Sequence, residues 1–373
     1  MSSGIDLPSG APAAPPVKLR PEILALPAYK QGKAAPTGFK LSSNENPFEP
    51  LPGVLDVVDA ATRQLHRYPN AAAPEITARL AEEWGVEPDE VIVAAGSVAL
   101  LMQFTMAAAG HGDEVVYSWR SFEVYPWMTV LPGATAVPVP NTPDHRHDLD
   151  AMAAAITDRT RLVLVCSPNN PTSTVVTAAE FERFMDRVPG DVLVILDEAY
   201  AEFVTDTDAV SGRALVRRYP NLVILRTFSK AYGLAGLRIG YGIGSPAILA
   251  AARTTIVPLS LTDHAQVAAL ASLDRGEELK ARVDDIAARR DLVYEALVAQ
   301  GWSDVPRPHG NFIWFPTGRH TAEAIEIFQS HGIIARAYLP DGVRLSIGEE
   351  ESVEKLLAAS EEIFRSISED VRR

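Results

Sequence analysis

The sequence predicts an α/β protein, with a mostly parallel sheet flanked by helices and a smaller α+β domain after it. Three observations carry this. Between Val91 and Leu225, short apolar runs alternate with segments of helical periodicity. The runs are apolar throughout rather than at every second residue, as in strands buried on both faces of a parallel sheet. From about Ser245 the pattern changes to long helices and a few short strands, and 373 residues suffice for two domains.

Taken in order, residues 1–17 are rich in Ser, Gly, Pro and Ala and read as a disordered lead. They contain neither a basic nor an apolar region of signal-peptide type. A short helical turn is expected over 20–26, then proline punctuation to Pro52. Helical spacing follows over 51–65 and 74–84, the latter with Pro74 in its first turn. A strand at 91–94 enters a helix at 97–109 through Gly96-Ser97. Strands are then expected at 114–117, 134–139, 161–166, 192–196 and 222–225. Helices fall between them at 122–131, 149–156, 178–187 and 209–218. The second part has a long helix at 277–300 and a strand at 312–315. A helix near 321–330, strands near Ile333 and Val343, and a final helix at 352–367 complete it. No internal repeat is visible.

Composition narrows the function. Apolar residues at 47% and charged residues at 22% are those of an ordinary soluble protein. A net charge of −14 without a basic tract argues against nucleic-acid binding. The single cysteine, Cys166, excludes an intrachain disulfide and fits a reducing compartment, and no apolar run approaches a membrane span. A cytoplasmic location is expected. No spaced His/Cys cluster suggests a metal site; His145 and His147 read as solvent-facing.

The motif around which the chain is organised is Leu225-Arg-Thr-Phe-Ser-Lys-Ala-Tyr-Gly-Leu-Ala-Gly-Leu-Arg-Ile-Gly240. It follows an apolar strand and sets Lys230 among hydroxyls, glycines and Arg238. That is a way to hold an amine beside a bound anion. Taken alone, a lysine in a loop is ordinarily solvated. Three other strand ends supply partners for it. Val192–Leu196 runs into Asp197, a carboxylate that is costly at a buried strand end unless it meets a cation. A protonated pyridine nitrogen would be such a cation; a helix cap is the bland alternative. Tyr200 lies three residues on. The strand at 162–166 leads to Asn169-Asn170 between two prolines, a rigid turn that projects an amide. Gly96-Ser97 aims helix N-terminal amides at an anion.

In this order, Gly-Ser, Asn-Asn-Pro, Asp-x-x-Tyr and Ser-Lys resemble the fold-type I pyridoxal-phosphate aminotransferases. The branch is that of histidinol-phosphate aminotransferases and their aromatic relatives, and the resemblance runs from about Leu19 to the last helix. It implies a seven-stranded large domain at 51–255, a small domain at 256–373 and an N-terminal segment at 18–50 packed on the small domain and a partner subunit. It also implies pyridoxal 5'-phosphate as cofactor, with Lys230 as Schiff-base lysine and proton carrier. Asp197 would meet the pyridine nitrogen, Asn170 and Tyr200 the ring oxygen, and Phe122 the ring face. Gly96, Ser97 and Val98, with Thr227, Ser229 and Arg238, would form the phosphate cup. Tyr68 would reach the phosphate of a neighbouring subunit, making the enzyme a homodimer. Arg344 would hold the substrate α-carboxylate. Arg336 falls near the same pocket, and Tyr29 and Asn44 would close over the substrate.

Two positions depart from the histidinol-phosphate pattern. Val98-Ala99 stands where acidic residues usually follow the serine, and with Trp119–Tyr125 it resembles the actinobacterial aromatic (phenylalanine) aminotransferases. Ser173 stands where a glycine often follows Asn-Pro-Thr, a change expected to have little consequence. The expected reaction is therefore transamination between an aromatic amino acid and 2-oxoglutarate, with histidinol phosphate as the rival substrate. A dinucleotide turn at Gly240-Tyr-Gly-Ile-Gly244 is a weaker alternative, because the G-x-G-x-x-G spacing is absent.

Overall fold

The computed structural model describes residues 17–26 and 38–371, with side chains up to residue 367. The chain divides into two compact units, residues 1–31 and 32–373. In the first, the described residues form one helical turn, Pro21–Leu24. The second contains the strands β1 (Phe39–Lys40), β2 (Val91–Ala94), β3 (Glu114–Trp119), β4 (Thr135–Pro140), β5 (Thr160–Cys166) and β6 (Leu193–Asp197). They continue with β7 (Leu222–Thr227), β8 (Gly240–Gly244), β9 (Phe312–Phe315), β10 (Ile333–Ile334), β11 (Arg336–Tyr338) and β12 (Gly342–Ser346).

Seven strands form the central sheet in the order β2-β8-β7-β6-β5-β3-β4. From β7 to β4 all pairings are parallel, and β8 runs antiparallel to both its neighbours. Alternate residues of the middle strands feed two separate cores. Val163, Val165, Val194, Leu196 and Ile224 belong to one; Leu162, Leu164, Ile195, Val223 and Leu225 belong to the other. Burial of each such side chain contributes about 1.5–3 kcal/mol, so the uninterrupted apolar runs follow from coverage on both faces. A three-stranded antiparallel sheet, β11-β12-β9, and the parallel pair β1-β10 form the second layer system. The 25-residue helix Gly276–Gln300 precedes β9 and ends at Gly301, whose φ of 106° suits only glycine readily. No helix among the described residues is long and apolar enough to cross a membrane.

The structure adds three strands, β1, β8 and β11, and trims several elements. β8 escapes a propensity reading because three of its five residues are glycine. The glycines answer to space. A Cβ at Gly240 would lie 2.5 Å from the Ser97 backbone nitrogen, and one at Gly242 or Gly244 would lie 2.9 Å from Leu225 or Val223. These glycines lie within a sheet, so the dinucleotide-turn alternative is set aside. The helix expected over 51–65 spans only Val54–Thr62, because Gly53 enters it at φ 79°. The helix expected from Phe122 begins at Tyr125, and that over 209–218 is confined to Gly212–Leu215, Arg217 having φ 61°.

The expectation for His147 is corrected: it is buried, and burial pulls its imidazole down to about 4. The segment carrying it folds against the turn after β5, where Thr174 Oγ1 donates to the His145 carbonyl at 3.0 Å and Arg146 donates to the Val175 carbonyl. His145 itself is half-buried beside Trp314.

Gly240→Ala should be destabilising, because its methyl meets backbone atoms that cannot rotate away. A loss of about 1–3 kcal/mol is expected, read as a lower denaturant midpoint at unchanged slope.

Candidate active site

The carboxyl ends of β5, β6 and β7 lie side by side, and in a sheet of this kind ligands bind beyond those ends. β6 ends in Asp197, buried at 3% exposure. Its Oδ2 accepts a hydrogen bond of 2.9 Å from the Tyr125 hydroxyl, while its Oδ1 is buried without a hydrogen-bond partner among the described residues. Burial pushes the carboxyl up to about 6. An orphaned acceptor of this kind needs a donor from outside the chain, and a cationic N–H is the donor that offsets most of the desolvation.

Lys230 follows β7 in the tight loop before β8. Its Nζ donates to the Ser43 carbonyl at 3.1 Å and lies 5.7 Å from the centre of the Tyr200 ring. Enclosure pulls the amine down to about 7; Arg344 and Arg238 act in the same direction, and Glu45 opposes them. A lysine in this state is substantially neutral near pH 7, as a nucleophile or proton acceptor must be.

Around the N-terminus of the helix Ser97–Ala108 the chain forms an anion cradle. Gly96 precedes it at φ 91° and ψ 159°, and a Cβ there would lie 2.6 Å from Arg238 Nη2. The first amides of a helix, here those of Ser97 and Val98, have no intrahelical acceptor. Arg238, itself at φ 57°, donates to Ser229 Oγ at 3.2 Å, and the Ser229 amide donates to Thr227 Oγ1 at 3.1 Å. Two hydroxyls, a guanidinium and a helix start therefore converge.

A second cationic centre lies on β12. Arg344 is buried, donates to Asn170 Oδ1, to Tyr338 Oη at 2.9 Å and to the Ser42 carbonyl at 2.6 Å, and keeps a buried Nε without a partner. These partners are neutral, so the charge is uncompensated and suits a carboxylate ligand. Asn170 thereby joins the turn after β5 to β12. Tyr200 is buried, accepts from Asn44 Nδ2 at 3.0 Å and packs edge-on against Phe312; burial pushes its phenol up. Asn44, at φ 52°, is pinned to β12 by its amide donating to Ser346 Oγ at 2.7 Å.

The other residues singled out in the sequence lie more loosely. Phe122 is half-buried, its ring 5.7 Å from that of Tyr125. Arg336 stands opposite Arg344 on β11 and pairs with Glu123 at 2.5 Å. Tyr68 is 83% exposed. Tyr29 lies outside the described residues. Sequence reasoning passed over Tyr125, Tyr338, Ser42 and Ser346. Tyr125 stood in a quoted motif, but only the fold brings it to Asp197.

Removing the Asp197 charge should stabilise the ligand-free protein. A carboxyl raised from 3.8 to about 6 on folding binds more protons in the native state, so stability falls as pH rises between those values. Asp197→Asn should recover about 1–3 kcal/mol at pH 7–8 and almost nothing at pH 3.5, as thermal melts at the two pH values would register.

Comparison with known proteins shows the family. A family model described as aminotransferase class I and II matches residues 36–359. The aromatic amino acid aminotransferase of Streptomyces coelicolor is 48% identical over 354 residues, covering 94% of this chain and 98% of its own. That of Cutibacterium acnes is 49% identical over 330 residues, covering 88% and 94%. Among solved structures, a histidinol-phosphate aminotransferase from Sinorhizobium meliloti in complex with pyridoxal-5'-phosphate superposes with a TM-score of 0.84 at 27% identity, covering 94% and 98%. A Thermus thermophilus aspartate aminotransferase mutant gives 0.79 at 26%, covering 93% and 99%. With a matched model over most of its length and the sheet order described above, the chain belongs to the class I and II aminotransferases and has the fold-type I architecture.

Proposed function

We propose that this protein is an aromatic amino acid aminotransferase that uses pyridoxal 5'-phosphate and exchanges an amino group between phenylalanine, tyrosine or tryptophan and 2-oxoglutarate. The observation that carries the cofactor reading is the buried, partnerless Oδ1 of Asp197 at a strand end, in the site that also holds the low-pKa amine of Lys230. The aromatic reading is supported by relatives of that name at 48–49% identity.

The residues fit the cofactor group by group. Bound pyridoxal phosphate supplies an electron sink for negative charge at the substrate α-carbon. Asp197 Oδ1 accepts the ring N–H. Asn170 and Tyr200 donate to the ring oxygen, and Phe122 covers a ring face. The amides of Ser97 and Val98 meet the phosphate together with Thr227, Ser229 and Arg238; the Gly96 amide, expected to join them, instead donates to the Ala94 carbonyl at 2.7 Å. Arg344 orients the substrate through its α-carboxylate, with Asn44 and Arg336 around it. Lys230 Nζ, pulled down to about 7 by burial, would take the α-proton as general base and carry it through the 1,3-shift. Because an amino acid leaves as its oxo acid before the second substrate enters, the kinetics are ping-pong.

In this reading residues 51–255 bind the cofactor, residues 256–373 form the small domain and residues 18–50 an N-terminal segment. The enzyme is a cytoplasmic homodimer in which Tyr68 serves the neighbouring subunit. An exposed tyrosine fits such a role, since its partner then lies on another chain.

The deciding experiment is the second half-reaction. Enzyme converted to its pyridoxamine form with glutamate is mixed separately with phenylpyruvate and imidazole-acetol phosphate, and the return of the visible absorption band is followed. Fast return with phenylpyruvate alone is the expected result; fast return with the imidazole phosphate alone would make histidinol phosphate the substrate. For the dimer site, Tyr68→Phe should raise the cofactor dissociation constant about tenfold. An unchanged constant would count against it.

A further inference from the structure

The proposed function leaves one buried polar contact at the centre of the site without a role. Tyr125 opens the short helix Tyr125–Val130, is fully buried, and directs its hydroxyl at Asp197 Oδ2 from 2.9 Å. Its ring is held by Tyr117 at 5.9 Å and Phe122 at 5.7 Å, so the hydroxyl has little freedom to leave. On the neighbouring strand, Cys166 stands in register with Asp197. Burial pushes both the Tyr125 phenol and the Cys166 thiol up, so each keeps its proton. Of the three groups, Asp197 alone is available to carry the negative charge, and Tyr125 is a donor toward it.

A carboxylate can turn about its Cβ–Cγ bond and share its charge between two oxygens. With Oδ2 engaged by a fixed phenol, only Oδ1 remains without a partner. We propose that Tyr125 is a positioning residue for the transamination: its hydroxyl anchors Oδ2 and fixes the carboxylate plane so that Oδ1 faces the pyridine nitrogen. The same hydrogen bond favours the ionised carboxylate, which must be negative to pair with a pyridinium. Tyr125 touches neither cofactor nor substrate in this role and acts wholly through Asp197. The inference rests on the pyridoxal-phosphate reading of the site.

The test is a binding measurement on the cofactor-free protein, read by quenching of tryptophan fluorescence. Wild type and Tyr125→Phe are each titrated with pyridoxal phosphate and with 1-deazapyridoxal phosphate, in which a ring C–H replaces the nitrogen. Phenylalanine keeps the ring packing, and a thermal melt verifies the fold. The expected result is a dissociation constant for pyridoxal phosphate raised about tenfold, with that for the deaza compound changed less than about twofold. Equal losses for both compounds, or no loss for either, would overturn the inference. As a second arm, Tyr125→Phe added to Asp197→Asn should cost no further affinity for pyridoxal phosphate, since the residue acts through the charge already removed; additive losses would overturn it. If wild type binds neither compound, the proposed function falls, and this inference with it.

Discussion

Asp197 occupies the carboxyl end of a buried parallel strand, and its desolvated carboxylate governs much of what surrounds it. One oxygen is tied to Tyr125, and the other has no hydrogen-bond partner among the described residues. A folded domain is stable by only about 5–15 kcal/mol, so a group of this kind persists only where other burial is ample or a ligand completes it. Here both hold: the two apolar cores flanking β5, β6 and β7 supply the burial, and the proposed pyridinium supplies the partner.

The neighbouring charges obey the same constraint with opposite sign. Lys230 loses proton affinity through burial and through Arg344 and Arg238, so the amine answers to cations whose own partners are to be ligand anions. Arg344 meets only neutral oxygens and leaves its Nε bare. An anion at Arg344 or at the Gly96–Arg238 cradle would draw the Lys230 pKa upward again. The site is thus electrostatically coupled, and the uncompensated charges of these side chains are what a bound anion would meet.

The fold was legible because burial on both faces leaves uninterrupted apolar runs, and the strand ends could be read from where those runs stop. That is how Asp197, Asn170, Gly96 and Lys230 came forward together. β8 was hidden because its residues are chosen for closeness to Ser97, Leu225 and Val223 rather than for strand propensity. Tyr125 and Tyr338 were hidden for another reason. A phenol that bonds a carboxylate 72 residues away leaves no local signature. His147 was misread because a polar turn looks solvated until another turn, Thr174–Val175, packs on it.

Ser173 shows how a residue's neighbours can offset the cost of its conformation. At φ 63° the position favours glycine, and a serine there looked like a tolerated departure. The buried hydroxyl, however, accepts the amides of Gly310 at 2.8 Å and His309 at 3.2 Å, and the His309 amide also reaches the Ser173 carbonyl. Glycine would relieve the backbone but leave the Gly310 amide without this acceptor in a closed interior, at a cost of about 1–3 kcal/mol. Relief of an unfavourable φ returns about 1–2 kcal/mol, so the two effects nearly cancel in stability. They differ in geometry: the serine fastens the turn bearing Asn170 to the loop that runs through Asn311 into β9, and the Asn311 side chain holds the Asn44 carbonyl. The hydroxyl therefore links the turn behind the cofactor site to the segment that holds Tyr200 in place.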